Sequence, residues 1–104
     1  MAKPPPRGEV SVVQITEVRV RRITGDERVR AVASITIDDA FAVHDLRVVQ
    51  GDKGLFVSMP SRRRLSGEYY DVAHPVTAAA RQQVQQAVLE AYGRETREVA
   101  VHSN

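Results

Sequence analysis

Three extended runs between residues 12 and 50, separated by turns too short to hold a helix, constrain the fold more than anything else in this chain. RVRAVASITID (28–38) is the cleanest of them. Val29, Ala31, Ala33, Ile35 and Ile37 alternate with Arg28, Arg30, Ser34 and Thr36, and a period of two sends each set to its own face of a strand. VVQITEVRVRRI (12–23) has the same habit, with Val18 and Val20 set against Glu17, Arg19 and Arg21. FAVHDLRVVQ (41–50) is apolar on both sides, with Phe41 and Val43 on one and Ala42, Leu46 and Val48 on the other. Thr24-Gly25-Asp26-Glu27 and Asp38-Asp39 are the intervening turns, and runs joined this tightly pair antiparallel.

A second half of different character follows. Gly51-Asp52-Lys53-Gly54 makes another turn, LFVSM (55–59) a short strand, and Pro60 stops it because proline has no amide to donate. Ser61 to Gly67 form a polar loop carrying Arg62, Arg63 and Arg64, and EYYDVA (68–73) returns as a last short strand, closing a hairpin around that loop. His74-Pro75 ends that strand, since the residue before proline is held extended. Thr77 can cap a helix starting at Ala78. Ala80, Val84, Ala87, Val88 and Ala91 make one narrow apolar stripe along it, and Gly93 is the expected stop. The expected fold is α+β: an antiparallel β-sheet of four to five strands followed by a C-terminal helix. One domain spans residues 10–93, between a flexible proline-rich arm (1–9) and a polar tail (94–104).

Composition narrows the function classes. The 104 residues suit one domain. With only two Phe and three Tyr, the core must rest on Val, Ile, Leu and Ala, and abundant branched residues favour a sheet. There is no cysteine, which rules out disulfides and Cys-based zinc sites and fits a reducing compartment. No apolar run approaches the roughly 20 residues that span a bilayer, and MAKPPPRGEV lacks the apolar core of a secretory signal. A soluble cytoplasmic protein is the expectation. The net charge is only +2, so the placement of the arginines matters more than their number.

Chemistry concentrates in few places. Three guanidinium groups at Arg62–Arg64 could contact phosphates, the plain alternative being a solvated loop. Arg19, Arg21, Arg22, Arg28, Arg30 and Arg81 could extend that surface. Tyr69 and Tyr70 flank the loop and could stack on a base. His44-Asp45 and Asp71 with His74 invite a metal or acid–base reading. Adjacent strand residues point to opposite faces, however, so His44 and Asp45 share a site only across a bulge, and structural roles are expected for both. Ser58, Ser61 and Ser66 lack any activating G-x-S-x-G context. The sequence therefore offers no catalytic residue, no metal site, no cofactor and no small-molecule substrate.

Residues 14–92 resemble the SpoVG family, bacterial septation and sporulation regulators. FAVHDLRVV, GLFVSMPSRR and the stretch from Gly67-Glu68 through Asp71 to Pro75 carry the resemblance most specifically. It implies a small cytoplasmic homodimer that binds nucleic acid, DNA or RNA, and that has no known catalytic residue. A third strand apolar on both faces also asks for a second subunit. The candidate nucleic-acid-binding residues are Arg62, Arg63, Arg64, Arg81, Arg22 and Lys53. The alternative is a protein-interaction module acting on division or regulatory proteins. Departures from the family pattern lie at the two ends of the chain.

Overall fold

The computed structural model describes residues 13–102, and side chains through Glu95; the proline-rich arm of the sequence analysis lies outside them. Four strands come first: β1 (Ile15–Arg22), β2 (Val29–Ile37), β3 (Phe41–Gly51) and β4 (Gly54–Ser58). They form one antiparallel sheet in chain order, β1-β2-β3-β4. Two three-residue strands, β5 (Ser61–Arg63) and β6 (Tyr69–Asp71), pair only with each other. One helix, α1 (Ala78–His102), closes the chain.

The expected fold class is the one observed, and its alternating runs explain why. Ala31, Ala33 and Ile35 of β2 are buried together with Leu46 and Val48 of β3, Val57 of β4 and Met59. Val84 and Val88 of α1 complete the cluster, and Val18 and Val20 pack against it from β1. Two alanines on the central strand leave room for the helix to lie close, and its own small stripe meets them. Gln83 donates to the Val13 carbonyl at one margin of the sheet, and the Gln85 side-chain oxygen accepts from Val57 N–H at the other (3.4 Å). The helix is thereby fastened to the segment that leads into β1 and to the edge strand β4. Thr77 Oγ1 accepts from Ala80 N–H at 3.1 Å, the anticipated cap.

The turns are built by aspartates. Asp38 and Asp39 both have φ of 54°, and Ala40 N–H donates to the Ile37 carbonyl. That is the primed two-residue turn whose twist matches paired strands; aspartate is among the few residues with a Cβ that enter it readily. Asp26 Oδ1 accepts from the backbone N–H groups of Arg28 and Val29 at 2.8 and 2.9 Å. Those bonds hold its carboxyl below the usual range, with Val29 the larger cause and the Arg47 charge a smaller one.

Three expectations need correction. The register between β2 and β3 slips at Ala33/Ile35, where two steps on β2 face three on β3, from Leu46 to Val43. This is a β-bulge, and Asp45 within it has φ of 67°. The extra residue reverses the alternation, so Val43 joins Leu46 and Val48 against the core instead of opposing them. Second, the hairpin expected around the basic loop forms, but residues 69–71 pair with 61–63 as a separate ribbon and do not extend the main sheet. Third, the helix runs through Gly93 to His102. Interior glycine costs a helix about 1 kcal/mol relative to alanine, which weakens it without ending it, and the residues after Gly93 have no proline.

Candidate nucleic-acid interface

Pro60 and the turn after Arg64 shape the basic segment. Ser61 pairs with Asp71, Arg62 with Tyr70 and Arg63 with Tyr69. Gly67 N–H donates to the Arg64 carbonyl (2.9 Å), and Arg64 N–H to the Glu68 carbonyl (2.7 Å). Leu65, Ser66 and Gly67 thus make a three-residue hairpin loop, whose last position requires the left-handed backbone. Gly67 supplies it with φ of 96°. Arg62 and Arg63 therefore belong to a strand and only Arg64 sits at the loop, in place of the expected single loop holding all three.

Alternation along the ribbon sorts its side chains. Arg62, Arg64 and Tyr70 share one face, with Glu68 across from Arg64 at the tip. Arg63, Tyr69 and Asp71 share the other. The Arg64 guanidinium lies 4.4 Å from the Tyr70 ring centroid and that of Arg63 lies 5.9 Å from Tyr69. Both are cation–π distances, the first the stronger. All three arginines are exposed, and Tyr69 keeps 68% of its surface open to solvent against 39% for Tyr70.

The remaining candidates are scattered. Arg81 stands exposed in the first turn of α1, reached from the ribbon through residues 72–77, at the same end of the sheet. Arg22 ends β1 and Lys53 occupies the β3–β4 turn; both are exposed at the opposite end, with the length of β4 between Lys53 and the ribbon. The fold does not bring those two together with Arg62–Arg64.

The outer face of the sheet, away from α1, carries a second basic group that the sequence pattern does not single out as a unit. The pairings Arg21↔Val32, Val32↔Arg47 and Arg47↔Ser58 align two arginines across the sheet. A shallow concavity of about 220 Å³ beside them is lined by Arg19, Arg21, Ser34, His44 and Asp45. The bulge thus turns His44 and Asp45 to one face, the condition under which they could act together. Among the described residues no group of three or more His, Asp or Glu gathers as a metal site. Arg19 pairs with Glu17 at 3.3 Å in the open, an arrangement that contributes little. His74 makes a local contact, its Nδ1 3.0 Å from the Pro75 carbonyl oxygen.

An apolar groove of about 340 Å³ opens where the sheet meets the start of α1, between Ile37, Val43, Met59, Val76 and Ala80. Phe41 (73% exposed) and Val76 (87% exposed) stand at this end without cover. No helix among the described residues is long and apolar enough to cross a membrane.

A small antiparallel sheet covered by one helix, with a basic two-stranded ribbon between them in sequence, defines a class of compact α+β protein whose most charged projection is the ribbon. A family model described as SpoVG matches residues 13–94, and the chain belongs to that family. Similar relatives bear the name "Putative septation protein SpoVG". That of Heliobacterium modesticaldum is 56% identical over 78 residues, covering 75% of this chain and 88% of the relative. That of Lachnospira eligens is 55% identical over 80 residues (77% and 91%), and that of Staphylococcus carnosus 51% over 92 residues (88% and 85%).

The signal for the ribbon is present in the sequence. SRRR and EYYD are runs of equal length placed symmetrically about Leu-Ser-Gly, a three-residue loop ending in glycine. Read that way, the register of arginine against tyrosine follows directly.

Proposed function

We propose that this protein is a septation regulator that binds nucleic acid, DNA or RNA, as a homodimer, and in spore-forming bacteria takes part in sporulation control. The names of its relatives support the septation role. The ribbon carries the binding: three exposed arginines, two on a strand that pairs only with β6 and one at the loop, and two of the three set against tyrosines. Guanidinium groups match phosphate geometry and are always charged, and phosphate contacts supply most of the affinity of such proteins. Arg81 lies at the same end and extends the surface; Arg22, Lys53 and the outer-face arginines would engage a longer strand that wraps the sheet. The work is binding, with no reaction assigned to any residue.

Replacing Arg62, Arg63 and Arg64 together by Ala tests this. The variant is expected to stay folded, because none of the three touches the core. Its affinity should fall for every nucleic acid tried, and the slope of log affinity against log salt should flatten by about one unit for each phosphate the variant no longer grips. Unchanged affinity and slope would point to the second reading, a protein-interaction module. The uncovered Phe41 and Val76 beside the apolar groove favour that reading, and an apolar contact would be indifferent to salt.

A further inference from the structure

The β3 bulge builds a second site, on the side of the sheet away from α1. We propose that the concavity beside it holds a pentose phosphate, the phosphate gripped by Arg19 and Arg21 and the sugar hydroxyls donating to Asp45. This site is separate from the ribbon and goes beyond the reading above, standing whether or not the ribbon binds nucleic acid.

The register places the parts. Arg19 of β1 pairs with Ser34 of β2. Ala33 pairs with Leu46 and Ile35 with Val43, so Ser34 between them lies opposite His44 and Asp45. One row across three strands therefore runs from Arg19 through Ser34 to the bulge. In the next row Arg21 pairs with Val32, and Val32 with Arg47. Val32 and Ser34 are short and half-buried, while the arginines and His44 around them are longer. That difference in length makes the hollow of about 220 Å³. Because β1 is an edge strand, the arginine side is open to an incoming ligand.

The two walls differ in chemistry. Arg19 and Arg21 lie two residues apart on one strand, about 6.8 Å between their Cα atoms, and guanidinium forks at that spacing converge on one phosphate. Arg19 rests against Glu17 at 3.3 Å, an exposed pair that a phosphate dianion displaces at little cost. Asp45 stands on the opposite wall. An ionised carboxylate only accepts hydrogen bonds, so it favours a ligand that brings hydroxyl donors beside its phosphate. Among the described residues, the side chains of Arg21, His44 and Asp45 make no hydrogen bond or ion pair of their own.

Backbone and size agree with this. Asp45 has φ of 67°; bulges re-aim side chains beside functional sites, and left-handed backbone at a residue with a Cβ gathers there too. Pockets for drug-sized ligands begin at about 300 Å³. At about 220 Å³ this one takes a phosphate and a five-membered sugar, and a nucleobase joined to that sugar would lie outside. The ligand is a free sugar phosphate or the ribose phosphate of an RNA chain, two sources of one chemistry.

Nuclear magnetic resonance of the full chain tests the site. Ribose 5-phosphate is expected to move the backbone amide signals of Arg21, Ser34, His44 and Asp45 saturably and to leave those of residues 61–71 in place. 2-Deoxyribose 5-phosphate lacks one hydroxyl donor and should bind about 10-fold more weakly, the loss of one hydrogen bond to a charged group. Arg19→Ala/Arg21→Ala should abolish the shifts with both sugars. Asp45→Gly keeps access to the left-handed backbone and removes the carboxylate, so it should bind the two sugars equally. Unmoved signals from Val57 and Val88 report an intact core in each variant. A short RNA added to Arg62→Ala/Arg63→Ala/Arg64→Ala separates the sources. Shifts at the bulge with ribose 5-phosphate alone identify the free sugar phosphate, and shifts with both identify the RNA chain as a source.

No shift at the bulge with millimolar ribose 5-phosphate overturns the proposal, as does equal binding of the two sugars by the unaltered chain. Shifts spread over every exposed arginine, the ribbon's included, overturn it in favour of a general attraction for anions. The ribbon is judged by its own salt dependence, so a failure here and a failure there are told apart.

Discussion

Single residues do much of the shaping in this chain, and aspartates do more than their share. Asp26 shows how a surface carboxylate can matter without burial. Because its two backbone donors prefer the charged form, its acidity is greater in the folded chain than in the unfolded one. As pH falls below about 4, the unfolded chain takes up a proton before the folded one does. The contribution of Asp26 is therefore complete above the unfolded value and disappears as pH drops through the folded one. Asn in its place keeps an oxygen acceptor but removes the charge. Urea denaturation should find Asp26→Asn less stable than the parent at pH 7, the two converging as pH is lowered toward 2. A gap that stays constant across that range would mean that the carboxylate charge contributes nothing. Asp45 belongs to the same group, accepting a left-handed backbone that a β-branched residue would resist.

Among the elements, α1 departs furthest from expectation. Glycine near the end of an apolar stripe commonly marks a left-handed stop, and that pattern is present at Gly93. Here the helix continues, and a Cβ built on Gly93 meets nothing within 4 Å. Gly93→Ala should therefore raise stability by about 0.5–1 kcal/mol. Were Gly93 a left-handed cap, the same change would destabilise, so the sign of the shift in thermal midpoint decides the matter. The sheet is legible in the sequence because its apolar residues repeat every second position and its turns carry Asp and Gly. The bulge is not. Nothing about His44-Asp45 in isolation reveals that β3 needs three steps where β2 takes two; that mismatch exists only once the strands are paired. At the candidate site, the arginine cluster is visible, while its strand geometry is hidden if the turn is taken one size too large. The distribution of Arg22 and Lys53 to the far end of β4 depends on topology and lies beyond any local pattern.

For the whole molecule, the bulge alters what a second subunit would cover. With Val43, Leu46 and Val48 all facing α1, β3 no longer presents a second apolar face. Exposed apolar side chains remain at the groove end, where Val76 lines a cavity of about 340 Å³ and Phe41 pairs with Ile37 of its lining, and also at Leu55, Phe56 and the ribbon-tip Leu65. Exposed apolar groups gathered at one place mark interaction sites, and two-fold pairing of like surfaces is the commonest way to bury them. Sedimentation at micromolar concentration should accordingly give twice the chain mass of 11.5 kDa. Phe41→Ser should shift it toward the single chain while circular dichroism stays unchanged. A parent that sediments as one chain throughout dilution would end the dimer proposal.

The order of elements also has a consequence in time. Every ladder of the main sheet joins neighbours in sequence, so each can close as soon as it leaves the ribosome, with short loops to close. The cover comes late. Thirty residues separate Ser58, the end of β4, from Val88, which fills the centre of the core. At about 5–20 residues per second, translation leaves Leu46 and Val48 facing water for roughly 2–6 s. During that interval a half-built sheet could pair with another emerging from the same polysome. Arg19, Arg21 and Arg22 on the outermost strand make that edge a poor partner, since charge along an edge opposes strand-to-strand addition.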